Sequence, residues 1–513
     1  MCAMKYFIGI DLGTSGIKVI IKEEDDTIAF SGYHPLKVER LKPLWSEQVV
    51  GDWWIALDSV MSKMALQVDR EKVLNNVRGI GLTGQMHSAV LLDDKHQVLR
   101  NCILWNDQRS SAECKELASK VENCQDTITG NIIMSGFTAP KILWLKKHEP
   151  DVFNKIDKVV LPKDYVRFLL SGQFATDMSD ASGTMWLDVK KRQWSVEMIN
   201  ACGLTINHMP QLYESTDITG TLHDHLAERW GLPTKTPIGA GAGDNAAGAI
   251  GCGINTLNNR AMVSLGTSGV SFLPTDRFTS NTSNALHSFC HALPQSWHLM
   301  SVILNCTSCI DWVSELTGFT NYLDMIQTLN KENQEVDKED KVLKDPIWFL
   351  PYLNGERTPH NNANLKGSFY GLTNNHSRLD LCRSVFEGVS FALADGLDVL
   401  LEDSPIDTVI AIGGGTNNDY WCQMLADITN LTLEVPGSSD LGPSFGAARL
   451  IQIATCIQSA TTKSKEDIYK DIIRLPTSIT KIFKPNSIKH QQFKEKRIIF
   501  KQLYQLLLPL SSK

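Results

Sequence analysis

No apolar run in this 513-residue chain approaches the roughly 18–20 residues that span a bilayer, which excludes a transmembrane helix. Positive charge is not in excess either. Lys and Arg total 50 against 57 Asp and Glu, a formal balance of -7, so the chain lacks the basic field that neutralises nucleic-acid phosphates. Neither DNA nor RNA is expected as a main partner. The 12 cysteines are scattered from Cys2 to Cys456 without the dense spacing of a secreted disulfide framework, which reads as reduced thiols and a cytoplasmic location. The apolar start is broken at Asp11 with no small-residue cleavage site, so it predicts a first strand rather than a signal peptide. A Gly-x4-Gly-Lys-[Ser/Thr] motif is missing, which excludes the usual P-loop architecture.

The composition that is present, 42% hydrophobic and 21% charged, is that of an ordinary globular protein. The length suits two or three domains of roughly 100–200 residues. Leu-Gly-Thr-Ser-Gly occurs twice, at Leu12 to Gly16 and at Leu265 to Gly269, almost half the chain apart. Each copy joins two strand-like runs, 6–10 with 17–21 and 261–264 with 270–273, and so predicts a β-hairpin. Two similar domains in tandem follow as the economical arrangement. Beyond each hairpin the periodicity is mixed. Helices are predicted over residues 45–68, 379–401, 419–430 and 487–508, and strands over 77–82 and 408–412, which implies sheets covered by helices. The charge-rich residues 331–344 read as a solvated surface segment.

Asp11 ends a strand directly before the first Gly13-Thr14-Ser15-Gly16 turn. A carboxylate placed there can hold hydrated magnesium while turn amides and hydroxyls meet phosphate oxygens. One copy alone would be read as a hairpin turn. Its recurrence, with Ser264 in place of Asp11, favours two turns gripping one nucleotide from opposite sides, only one of them carrying a metal ligand. Gly239 to Gly251 is a glycine-rich turn opening a helix of small residues. Gly241, Gly243 and Ala246 imitate a dinucleotide fingerprint, but no acidic residue follows Asp244 before Asp276, which disfavours such a site. Asp244 is either an N-cap or, flanked by residues without bulk, a carboxylate that substrates can approach and that accepts a hydroxyl proton during phosphoryl transfer. Gly413-Gly414-Gly415-Thr416-Asn417-Asn418 lies between a strand and a helix, as a structural turn or as a nucleotide-binding one. Trp105-Asn106-Asp107-Gln108-Arg109 sets an aromatic plate beside polar groups, which suits a sugar or an ordinary packed turn. Cys306-x-x-Cys309 lacks a second pair, and His287, Cys290 and His291 sit in an apolar stretch that packing explains, so no structural metal is assigned.

Together these motifs resemble the FGGY family of carbohydrate kinases, and its ketose-phosphorylating members in particular, from about Tyr6 to Leu450. The resemblance is carried by the blocks already quoted and by Gly84-Gln85-Met86-His87-Ser88, Gly136 to Trp144, Leu161 to Tyr165, Asp177 to Trp186 and Gly355 to His360. It implies an α/β protein of two tandem ribonuclease-H-like domains, of the actin, Hsp70 and hexokinase type, closing over a cleft. The implied boundaries are residues 1–254, 255–484 and a helical tail, 485–513. The implied reaction moves the γ-phosphate of ATP to the terminal hydroxyl of D-xylulose, with magnesium as cofactor. On this match Asp244 is the general base, and Asp11 with Asp244 lies at the metal. Met86, His87, Trp105, Asp107 and Asn245 line the sugar. Gly13, Thr14, Ser15, Gly266, Thr267, Gly414, Gly415 and Asn418 line the nucleotide. Met86-His87 stands where glycerol kinases carry Arg-Glu, which favours a ketose. Sugar and ATP are the expected partners, without nucleic acid or membrane, and a homodimer is compatible with the match. The competing reading is an actin-like or Hsp70-like ATPase acting on a partner protein, or a family kinase for another ketose or polyol.

Overall fold

Residues 6–12 are almost wholly buried, as a strand covered on both faces must be. In the computed structural model they form the centre of a seven-stranded sheet. The structure describes residues 4–336, 345–402, 404–437, 442–459, 462–476 and 479–511. The principal elements of the first half are β1 (Tyr6–Leu12), β2 (Gly16–Glu23), β3 (Ile28–Pro35), α1 (Val50–Gln67), β4 (Val77–Gly84), α2 (Thr138–His148), α3 (Pro162–Ser171), β5 (Ile218–Thr221), β6 (Pro237–Gly239), β7 (Ala242–Gly243) and α4 (Asp244–Gly251). Those of the second half are β8 (Ala261–Leu265), β9 (Gly269–Thr275), β10 (His287–Cys290), β11 (Trp297–Ile303), α5 (Thr307–Leu316), α6 (Arg378–Leu401), β12 (Thr408–Ile412), α7 (Asp419–Thr429), β13 (Thr432–Pro436), α8 (Pro443–Ser459), β14 (Ile479–Phe483) and α9 (Ser487–Leu507).

Both expected hairpins are present, β1 with β2 and β8 with β9. The repeat extends to whole sheets. The first runs β5–β6–β4–β1–β2–β3, with β7 also pairing β4, and the second runs β10–β11–β9–β8–β12–β13–β14. In each, an antiparallel hairpin is joined to a parallel neighbour of its first strand, β4 on β1 and β12 on β8. The two halves therefore share one plan.

Helix α1 starts at Val50, not at Trp45. Polar contacts outweigh helix propensity there. Glu47 and Gln48 pair as a short strand with Ile103 and Cys102, the Ser46 amide donates to Asp107, and Glu47 is salt-bridged to Arg109 at 2.6 Å. Of the charged residues 331–344, those up to Val336 end the helix Tyr322–Val336, and the rest lie outside the described residues. Helix α9 is not detached: Phe500 and Leu503 are buried in the core of the second half. No described cysteine forms a disulfide.

One face of the first sheet carries α1, through Trp53, Leu57 and Met61. The other carries α8, a helix from the second half, through Phe445, Ala448 and Ile451 against Phe7 and Ile20. The approach of α8 is so close that a Cβ on Gly9 or Gly81 would fall 1.8 or 1.9 Å from the carbonyl oxygens of Ser444 and Ala447. Conversely, Ala249 of α4 and the residues just after it, Cys252 and Ile254, pack on Met262, Phe272 and Ile410 of the second sheet. Each half thus lends a helix to the other half's sheet.

Candidate active site

Strand register brings the two candidate carboxylates together. Thr83 of β4 is paired with Asp11 on one side and with Ala242 on the other, and Gly84 is flanked by Leu12 and Gly243. Asp11 and Asp244, the latter one residue beyond β7, therefore lie two strand spacings apart, roughly 10 Å between backbones. Asp244 Oδ1 accepts from the Asn245 amide at 2.8 Å and from Asn245 Nδ2 at 2.9 Å. Gly243, not Asp244, occupies the N-cap position. Burial raises the Asp244 carboxyl to about 6, held back by the Asn245 hydrogen bonds. Asp11 rises to about 7, first through burial and then through the charge of Asp244, with Lys18 pulling the other way. Asp11 Oδ1 is buried without a donor. An unsatisfied oxygen and two mutually repelling carboxylates are the donor set a divalent cation neutralises. Among the described residues no group of three His, Cys, Asp or Glu side chains could hold a metal, so further ligands would be water and phosphate oxygens.

A cavity of about 180 Å³ adjoins Asp244 and is lined by both halves. It is smaller than the roughly 300–1,000 Å³ of drug-sized pockets and suits a small polar molecule. Met86, His87, Trp105, Asp244 and Asn245 all line it, so the structure brings five expected residues to one space. His87 has φ 68°, a left-handed backbone that a non-glycine residue adopts only when held. Its carbonyl accepts from Thr138 Oγ1 at 3.0 Å and from Lys141 Nζ at 2.9 Å, both on α2. Burial lowers the His87 ring to about 3, so the imidazole is neutral. A Cβ on Gly243, the glycine beside Asp244, would meet the Met86 side chain at 2.9 Å, so its bareness makes room for Met86. Trp105, 39% exposed, stands at the rim and donates from Nε1 to Thr14 Oγ1 at 2.9 Å. Asp107 is not brought to the cavity: it is fully buried and its carboxylate accepts from the Ser46 amide and the Arg109 guanidinium.

The phosphate-type turns are at the strand ends. The Gly13 amide closes its turn on Gly16 O at 3.0 Å, and Thr14 donates to Gln85 Oε1 at 2.9 Å. The Gly266 and Thr267 carbonyls accept from the Thr307 and Cys306 amides, each at 3.0 Å. Cys306-x-x-Cys309 is thus the support of the second hairpin, its thiols buried. Because Ser264 is paired with Ile412, residues 413–415 emerge beside Leu265. Gly413 takes φ 93°, and Gly415 packs on Leu265 and Trp421. A Cβ on Gly414 would meet nothing within 4 Å, which leaves that backbone open to a ligand. Asn418, by contrast, is 3% exposed and caps α7 by accepting from the Trp421 amide at 3.3 Å.

The family description "FGGY family of carbohydrate kinases, N-terminal domain" matches residues 6–251 and its C-terminal counterpart matches residues 261–455. The chain belongs to this family. It is 47% identical over 505 residues to the xylulose kinase of Escherichia coli (strain K12), covering 98% of this chain and 99% of the relative. It is 44% identical over 506 residues to that of Klebsiella pneumoniae, covering 99% and 100%. A solved structure of a "xyloylose kinase" from Brucella ovis superposes with TM-score 0.90 at 39% identity, covering 98% of this chain and all of the other. The fold is therefore the FGGY kinase pair of ribonuclease-H-like lobes, and the enzyme is a carbohydrate kinase rather than a partner-directed ATPase.

Among the cavity residues of this FGGY enzyme given no role from the sequence are His287, ascribed there to packing, and Arg357, quoted only as part of the Gly355 to His360 block. Both come from the second half.

Proposed function

We propose that this FGGY kinase is an ATP-dependent xylulose kinase, transferring the γ-phosphoryl group to the terminal hydroxyl of D-xylulose. Xylulose kinase relatives of near-equal length and a small cavity beside a partly desolvated Asp244 support the reading. The observation that carries it is that cavity: Asp244, neutral His87 and Met86 share a space sized for a small sugar between the two lobes. Both Asn245 hydrogen bonds go to Asp244 Oδ1, which makes Oδ2 the oxygen to take the hydroxyl proton. The sugar oxygen then forms its bond to the γ-phosphorus as the bond to the β–γ bridging oxygen breaks, and ADP leaves with that electron pair. Asn245 holds the other carboxylate oxygen, Lys141 and Thr138 fix His87, and Trp105 ties the cavity wall to Thr14 of the phosphate turn. Magnesium, held through Asp11 and near Asp244, would supply neutralisation of phosphate charge. Gly13, Thr14 and Ser15, Gly266 and Thr267, and Gly414 and Gly415 would face the nucleotide, with Asn418 acting through α7. The lobes are assigned to residues 1–254 and 255–484, with 485–513 attached to the second. No helix among the described residues is long and apolar enough to cross a membrane, and a cytoplasmic location fits a sugar-phosphorylating enzyme.

A coupled assay of ADP release over D-xylulose, D-ribulose, L-ribulose, D-fructose, gluconate and glycerol tests the assignment. D-xylulose should exceed glycerol in kcat/KM by roughly three orders of magnitude. A clear preference for glycerol or gluconate would refute the substrate.

A further inference from the structure

Hydrogen bonds fix what the cavity's histidines can offer. His87 Nδ1 lies 2.7 Å from Gly183 O, and a carbonyl only accepts, so Nδ1 carries the hydrogen and Nε2 is left as an acceptor. For His287 the argument passes through Asn131. Asn131 Nδ2 donates to Thr129 O and Ser288 O, both at 2.7 Å, which identifies Oδ1 as the acceptor. His287 Nδ1, 3.0 Å from that oxygen, must therefore donate, leaving Nε2 again as an acceptor. Two imidazole acceptors receive sugar hydroxyls well but cannot receive a ketone oxygen, which has no hydrogen to give. Trp105 Nε1 is engaged with Thr14, and one of the two Asn245 Nδ2 hydrogens with Asp244.

Arg357 brings further donors. It lines the same cavity as His87 and His287, and its charge bears on both. Its guanidinium donates to no described residue. Neighbouring Glu356 acts on it through charge but makes no hydrogen bond to the guanidinium. Glu356 Oε1 accepts from the Leu304 and Arg357 amides at 2.8 Å, and burial raises that carboxyl to about 8. A desolvated guanidinium without an acceptor is unfavourable until a ligand oxygen fills the place. Phosphorylation at O5 of a 2-ketopentose requires the open chain, because ring closure consumes O5, so a free C2 carbonyl must be accommodated.

Resting on the xylulose kinase reading, we propose that Arg357 donates to the ketone oxygen of the open-chain sugar and is the residue that separates a ketose from the corresponding polyol. The test compares wild type, Arg357→Met and Arg357→Gln with D-xylulose as substrate and D-arabitol, its reduced counterpart, as competing ligand. Arg357→Met should lower kcat/KM for xylulose by about 100-fold or more while the inhibition constant of D-arabitol and KM for ATP change less than about threefold. Arg357→Gln, which keeps a donor amide, should recover part of the loss. Equal losses for ketose and polyol in both variants, or an undiminished preference for xylulose, would overturn the proposal. If the wild-type enzyme ignores xylulose, the substrate reading fails first, and the same comparison is made with the ketose it does phosphorylate and its polyol.

Discussion

Asp244 and Asp11 make opposite kinds of demand on the protein. Replacing Asp244 with Asn keeps shape and the Asn245 neighbourhood but removes the proton acceptor, so kcat should fall about 100-fold or more while ATP binding persists. In the wild type, kcat/KM should decline as pH drops through about 6, where the base becomes protonated. With no cation beside it, Asp11 is a stability liability. Its carboxyl is raised from the usual carboxylate range to about 7, so the unfolded chain releases the proton before the folded one does as pH rises. The destabilisation is absent below pH 4, grows between about 4 and 7, and is constant above. Asp11→Asn should therefore raise stability by about 4 kcal/mol at pH 8 and leave it unchanged at pH 4, while impairing use of Mg-ATP. Thermal denaturation at the two pH values decides this, and a gain of equal size at both would refute the electrostatic cause. These two residues were legible because each sits in a short motif whose local form implies its neighbours. His287 was not, and Arg357 stood out only as part of the Gly355 to His360 block, since their place in the site depends on how two distant halves meet.

The hairpins were equally legible, because a Gly-Thr-Ser-Gly turn between alternating runs specifies its own pairing. Helix α1 was misjudged at its start for the reason that misleads any local reading: Asp107 and Arg109, some 60 residues on, draw residues 46–48 into other contacts. Helix α8 was not read from the sequence, and nothing local says that it belongs to the first sheet. Its seat depends on bare backbone. A Cβ on Gly446 would fall 1.8 Å from Ala247 O, in the crossing of α8 over α4. Gly446→Ala should accordingly destabilise by about 1–3 kcal/mol in chemical denaturation, although alanine is the better helix former. An unchanged midpoint would mean that the crossing relaxes freely.

Two lobes with a cavity between them, each presenting a hairpin turn, imply closure as part of turnover. Small-angle scattering should show a smaller radius of gyration with D-xylulose and a non-hydrolysable ATP analogue than without, and identical radii would contradict closure. Hydrogen bonds across the halves, such as Asn131 to Ser288 and Arg192 to Ser296, would have to be kept or broken by that movement.

The reciprocal lending of α4 and α8 has a consequence for how the molecule can be divided. A fragment of residues 1–254 made alone would have a sheet with one bare apolar face, and its partner, 255–513, would present a greasy helix with nowhere to lie. Each should be insoluble by itself, and the two made in the same cell should find each other and regain sugar-dependent ADP release. The halves should then behave as the two members of a swapped pair that happen to share one polypeptide, with the joining peptide bond near residue 254 dispensable to the architecture and neither helix so.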